Sequence, residues 1–214
     1  MKKQSLVILL GFLCLVTVGA MAQSEFPTVE LAGGYSYVNL NPQVASSQNF
    51  NGGGGAFVYN FSSIFGIKAD FMGYTGGTGW NNYLKQHGYG SVNVSGNAFT
   101  YMFGPQIKKH SGKFQPFGEG LFGAAHSNGY GTLLGCIENQ GCGGKNVYGS
   151  NNGFAMEFGG GLDIPLSDHV QIRPVEVDYL LTHFGSNHLA NYSSTQNNFK
   201  YFGGINFTLG GSGK

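Results

Sequence analysis

The amino-acid sequence predicts an all-β protein, namely an eight-stranded, antiparallel, up-and-down transmembrane β-barrel. Apolar and polar residues alternate along short segments, the connections between these segments are long and short in turn, and the chain begins with an export signal. A period of two places successive side chains on opposite faces of a strand. In a membrane barrel the apolar face meets lipid and the polar face lines the lumen, which reverses the arrangement of a soluble sheet.

The first residues predict export. Lys2 and Lys3 precede an apolar run over residues 6–18, and small residues follow it, as in a secretory signal peptide. We expect residues 1–22 to be removed, because the apolar run is too short for a spanning helix. We expect residues 23–214 to form the β-barrel domain.

The composition agrees with this class. The chain has 38 glycines, 14% aromatic residues and 10% charged residues, whereas charged residues make up about a quarter of an ordinary soluble domain. Helix is disfavoured nearly everywhere by this composition. Without Lys2 and Lys3, the 11 basic residues fall to 9 against 10 acidic ones. The mature chain therefore lacks the overall basic field of a nucleic-acid-binding protein.

Eight segments carry the alternation. The expected strands span residues 29–40, 56–61, 65–74, 92–104, 114–125, 154–164, 175–182 and 198–209. In the last segment Phe199, Tyr201, Ile205 and Phe207 alternate with polar residues, and Phe202 breaks the pattern. Period-two segments of about ten residues are typical of membrane-spanning strands.

The connections form two classes. Four are long and rich in Gly, Asn and Ser, whereas three are short, including a basic turn at residues 108–113. This asymmetry matches long external loops and short periplasmic turns. A soluble sandwich or lipocalin-like barrel is the alternative, and it would require the polar face to be solvated.

Charged residues recur on the faces opposite the aromatic ones. We expect these to point into the lumen: Glu30, Lys68, Asp70, Glu119, Glu157, Asp163, Glu176, Asp178 and Lys200. Arg173 falls in the lipid-facing register near a turn, so it either reaches the interface or is redirected by a bulge beside Pro174. Linked ion pairs and waters are the expected filling, because buried charges need partners. A narrow, weakly cation-preferring pore is the alternative, since acids are in excess.

The third long loop carries the remaining candidates. Cys136 and Cys142, with five residues between them, predict a local disulfide in an oxidising compartment. A metal site is disfavoured, because no histidine lies at ligand spacing beside them. His126, Ser127 and Glu138 are the residue types of a lipid deacylase. Because His126 and Ser127 are adjacent, they point to opposite faces of a regular strand, which disfavours activation of the serine by the histidine. We predict no catalytic residue, no metal site and no cofactor.

Together these features resemble the small outer membrane β-barrel proteins typified by the transmembrane domain of outer membrane protein A. The resemblance covers about residues 28–209 and rests on pattern. It implies that Tyr201, Gly203, Ile205 and Phe207 form the signal read by the barrel assembly machinery, although seven residues follow Phe207.

The resemblance also implies a location in the bacterial outer membrane, lipid contacts and a monomer. No peptidoglycan-binding domain follows the barrel, so wall anchoring is not implied. The expected role is structural or interactive, with the external loops as the recognition surface and their partner unknown. A small porin-like channel is the alternative, and a lipid-modifying enzyme is the third.

Overall fold

The computed structural model describes residues 26–43, 45–90, 96–143, 151–184 and 195–211. The strands are β1 (Val29–Leu40), β2 (Gln48–Asn60), β3 (Phe65–Gly76), β4 (Gly96–Lys108), β5 (Gln115–Ser127), β6 (Asn151–Pro165), β7 (Val170–Phe184) and β8 (Thr195–Leu209). Each strand pairs antiparallel with the next, and β8 closes the barrel on β1. The eight-stranded up-and-down barrel is therefore confirmed, whereas the expected signal peptide, residues 1–22, lies outside the described residues.

The barrel is apolar outside and polar inside. Phe71 and Phe103 are 55% and 54% exposed on the outer surface, whereas Lys68 and Glu157 are fully buried in the lumen. Exposed aromatic rings and buried charges are the pattern of a barrel surrounded by hydrocarbon. The alternative of a soluble barrel, with these charges on its solvated face, is therefore wrong.

The strand bounds agree at β1, and β2, β3 and β5 to β8 are longer than expected. β4 continues four residues beyond its expected end, and residues 92–95 of its expected span lie outside the described residues. The largest error is at β2, where residues 48–55 were expected in the preceding loop but belong to the strand. Glycine was taken as a loop signal, yet a Cβ at Gly52 would collide with the carbonyl of Gly73 on β3. Here glycine allows two strands to approach closely, which is its role inside sheets.

The two ends of the barrel differ as expected. The turns at residues 61–64, 109–114 and 166–169 lie at one end, here called the turn end. The described parts of the connections after β1, β3 and β5, at residues 41–43, 45–47, 77–90 and 128–143, lie at the other end, here called the loop end, where β7 also ends and β8 begins.

Two helices fold within the described parts of the loops, where helix was not expected. They are α1 (Gly79–Gln86) and α2 (Asn128–Glu138). Trp80 and Leu84, one turn apart on α1, are both fully buried, and the hydroxyl of Ser127 caps α2 by accepting from the Tyr130 N–H at 3.3 Å. Tertiary burial therefore outweighs the low helix propensity of these loops. Within the described ranges, no helix has the length and apolarity needed to cross a membrane.

Candidate functional site

The lumen is divided into two zones. Charged and polar side chains fill the half nearer the turn end, and apolar side chains fill the half nearer the loop end. The division follows the strands: on β1, Glu30 lies at the turn end, and Val38 and Leu40 lie at the loop end. A barrel of eight strands is just wide enough for side chains to fill it.

All nine charged residues expected in the lumen are buried there, and ion pairs connect them. Lys68 on β3 reaches Glu119 on β5 at 2.7 Å and Glu176 on β7 at 3.0 Å. Lys200 on β8 reaches Glu157 on β6 at 2.7 Å. These pairs cross the barrel, so the charged side chains occupy its cross-section.

Lys108, which was assigned to a basic turn, is instead part of the lumen network. β4 continues to Lys108, and its ammonium group contacts Glu30 at 2.5 Å and Asp163 at 2.7 Å. His110 stays in the turn, but its Nε2 lies 2.9 Å from Glu30. The missed signal was the alternation, because Met102, Gln106 and Lys108 share the inward register.

Arg173 also points into the lumen. A bulge beside Pro174 redirects it, which was the second of the two alternatives that the sequence left open. The pairing of β7 with β8 shifts between Arg173 and Glu176, and Arg173 is 1% exposed. Its guanidinium donates two hydrogen bonds to Asp163, at 2.7 and 2.8 Å, and one to Glu176, at 2.7 Å. The Phe117 ring lies 4.2 Å from the guanidinium carbon, which adds a cation–π contact.

The carboxylates of the network are unequally paired. Asp178 and Asp70 accept no hydrogen bond from any described residue, and Glu157 accepts one at Oε1 and none at Oε2. Lys200 lies near all three, at 2.7 Å from Glu157, 3.5 Å from Asp178 and 3.7 Å from Asp70, and Lys68 lies at the same 3.7 Å from Asp70. Negative charge is therefore concentrated around Lys200, in the middle of the lumen.

The apolar zone continues into the loop helices, which together form a cap, defined here as α1, α2 and the residues they bury. The Trp80 ring of α1 packs on Phe50 at 5.6 Å, and the Tyr130 ring of α2 packs on Phe184 at 5.1 Å. A cavity of about 20 Å³ lies beneath the cap, and this volume is enough for about one water molecule.

The expected disulfide is present in the structure. Cys136 and Cys142 are bonded, and Cys136 is fully buried against the apolar zone. The bond therefore ties the end of α2 to the segment that follows it.

The residues considered for lipid hydrolysis do not assemble. His126 faces outward, where its two ring nitrogens contact Asn152 at 2.6 Å and Asn128 at 2.9 Å. Ser127 faces inward and caps α2, and Glu138 is exposed at the far end of that helix. A histidine must hydrogen-bond the serine to activate it, and this arrangement keeps the two on opposite faces.

The residues expected to form the barrel-insertion signal lie on the closing strand. Ile205 and Phe207 are 47% and 50% exposed on the outer surface, and the Tyr201 hydroxyl donates to the Pro174 carbonyl at 2.8 Å. Gly203 shares their register. Recognition of this stretch by the assembly machinery stays a prediction.

Comparison with protein families gives one match over nearly the whole chain. Residues 8–212 match the model described as outer membrane protein beta-barrel domain. The chain belongs to this outer membrane β-barrel family. The comparison with curated proteins found no significant match.

Solved structures of outer membrane barrels share this family member's fold. Neisserial surface protein A superimposes with a TM-score of 0.59 at 7% identity, covering 85% of this chain and 97% of its own. Ail, the attachment invasion locus protein of Yersinia pestis, gives 0.51 at 13% identity, covering 86% of this chain and 99% of its own. At sequence identities of 7% and 13%, these similarities show a shared fold only.

Proposed function

We propose that this chain is a bacterial outer membrane barrel with a structural or surface-interaction role, and that its long loops face outward as the recognition surface. The observation that carries this proposal is the packing of the lumen in both of its zones. A lumen filled by its own side chains leaves the external surface as the place for activity.

The charged zone supports a structural filling. Lys68 and Glu176 lie on strands β3 and β7, and Lys108 and Glu30 lie on β4 and β1, so each pair spans the interior. Buried charges paired in this way are costly to separate, because each partner would be left without compensation. Such pairs therefore hold strands together across the barrel.

The cap supports an ordered external surface. Its buried aromatic rings fix α1 and α2 against the barrel, and the disulfide fixes the end of α2. The outward side chains are polar, with Asn82, Lys85 and Gln86 exposed on α1 and Glu138 exposed on α2. A preordered polar surface loses little conformational entropy on binding, which favours recognition of a polar partner.

A narrow pore is the second candidate, because acidic residues outnumber basic ones in the lumen and acidic linings favour cations. Planar-bilayer recording of the purified chain separates the two proposals. We expect no discrete current steps from the wild type. Steps above buffer would instead support the pore.

A variant that loosens the cap provides a further comparison. Tyr130→Ala removes a ring that is 1% exposed and packs on Phe184 and Trp80, and we expect no current steps from it either, because the charged zone still fills the cross-section. Steps from this variant alone would show that the cap closes the lumen. Tyr179→Ala, at a ring 48% exposed on the outer surface, is the matched control and should behave as the wild type.

The orientation is tested by labelling intact cells. Lys85→Cys places a thiol on α1 at the loop end, and Ser111→Cys places one in the turn between β4 and β5. A membrane-impermeant maleimide should label the first and spare the second until the cells are opened. The reverse pattern would place the turns outside and contradict the proposed surface.

A further inference from the structure

We propose that the middle of the lumen binds one divalent cation, with carboxylates of Glu119, Glu157, Glu176 and Asp178 as its ligands. This site lies in the protein interior and goes beyond the proposed role of the loops. Hard divalent cations such as Ca²⁺ take oxygen ligands, and carboxylates are the principal ones.

The geometry brings these four side chains to one point. Each offers one carboxylate oxygen, and the four oxygens all lie within 4.8 Å of one another. The residues come from β5, β6 and β7, so the barrel closure assembles them. Three of the four are at most 1% exposed, and Glu119 is 8% exposed.

Buried carboxylate oxygens without a hydrogen bond point to a ligand at this cluster. Neither oxygen of Asp178 accepts a hydrogen bond from a residue in the described ranges, and the same holds for Oε2 of Glu157. Both side chains are almost fully buried. Buried polar atoms need a partner, and a cation bound by one oxygen from each residue would supply one at Asp178, where both oxygens lack a hydrogen bond.

The local charge points to a cation in particular. Asp70 contacts Lys68 and Lys200 beside the four proposed ligands, so five buried carboxylates surround the site. They face Lys68, Lys200 and Arg173, and Arg173 is shared with Asp163. The excess is at least two negative charges, which one divalent ion offsets. Uncompensated charge in the interior is strongly unfavourable.

Ca²⁺ suits the cluster better than Mg²⁺. Ca²⁺ accepts irregular sets of six to eight oxygens, and its carboxylate ligands bind through one oxygen or both, whereas Mg²⁺ demands near-ideal octahedral geometry and keeps several waters. Four carboxylates on three strands, interleaved with Lys68 and Lys200, form an irregular set. The ammonium groups compete with the ion for the same oxygens, so they lower the affinity.

The test measures metal binding by the chain purified from outer membranes in detergent. After treatment with a chelator and dialysis, CaCl₂ is titrated by calorimetry at constant ionic strength, with MgCl₂ as the comparator. A parallel sample is unfolded in urea and refolded with excess CaCl₂, so that a kinetically closed lumen is also loaded. We expect one Ca²⁺ per chain, weaker Mg²⁺ binding and a higher melting temperature with Ca²⁺.

Two variants change the affinity in opposite directions. Asp178→Asn removes a ligand charge, and we expect binding weakened by about tenfold or more, since Ca²⁺ affinity follows the ligand charge. Lys200→Met removes the ammonium group that pairs with Glu157 and Asp178, so binding should become tighter and the melting temperature more dependent on Ca²⁺. Asp168→Asn, in an exposed turn, is the matched control and should bind as the wild type.

The absence of Ca²⁺ binding in both wild-type preparations would overturn the site and indicate that protons offset the excess charge. Equal binding by wild type and Asp178→Asn would overturn it too, because the ion would then lie elsewhere. Folding is checked for each variant by circular dichroism and by gel mobility without heating. If Asp178→Asn does not fold, Lys200→Met decides, and an affinity no tighter than the wild type would refute the site.

Discussion

Removal of Lys68 provides the sharpest test of the charged lumen. Its ammonium group is fully buried and lies 2.7 Å from Glu119 and 3.0 Å from Glu176. Lys68→Met keeps a flexible chain of similar length but leaves Glu119 without its closest cation and removes one of the cations that contact Glu176, which keeps Arg173 at 2.7 Å. Breaking a buried ion pair on one side costs about 3–5 kcal/mol, so we expect the free energy of unfolding to fall by about that amount.

The assay is urea unfolding of the chain in phospholipid vesicles, followed by circular dichroism with a chelator present, so that bound metal does not contribute. Lys109→Met is the matched control, since Lys109 is exposed in the turn after β4. A surface substitution of this kind changes the free energy of unfolding by no more than about 0.5 kcal/mol.

A double variant tests whether the loss comes from the ion pair. Adding Glu119→Gln to Lys68→Met removes one uncompensated carboxylate, so part of the stability should return. Residues in direct contact show coupling energies of about 0.5–3 kcal/mol. The reasoning fails if Lys68→Met lowers the free energy of unfolding by no more than Lys109→Met does. It also fails if Glu119→Gln lowers that free energy as much in the Lys68→Met background as in the wild type.

Two further predictions concern the strands and the cap. Gly52→Ala should lower the folded fraction in a gel-mobility assay, because the added Cβ would meet the Gly73 carbonyl. Gly33→Ala is the control and should fold normally, because the nearest atom to its added Cβ lies at 3.9 Å. Equal folded fractions for the two variants would contradict the close approach of the strands. Replacing Cys136 and Cys142 with Ser should speed proteolysis at the loop end while the barrel stays folded. The chain-entropy estimate for so short a loop is about 2 kcal/mol, and unchanged proteolysis would show that packing alone holds the cap.

The face of most residues was predictable because alternation is a local property of a strand. Lys200 and Phe207 follow from the period of two, whatever the rest of the chain does. The same rule would have placed Lys108 in the lumen, but a run of lysines was interpreted as a turn. The cap was not predictable, because the helices that carry Trp80 and Tyr130 are stabilised by burial of these rings at the loop end of the barrel.

The sequence by itself determined the class of this protein, the presence of all eight strands and the face of most strand residues, whereas it missed strand ends such as residues 48–55 of β2. These properties depend on neighbours along the chain. Only the tertiary structure decided which charges meet, because Lys68 and Glu176 are 108 residues apart in sequence and become neighbours through closure of the barrel. It also decided the inward turn of Arg173, since a bulge depends on pairing with the adjacent strand.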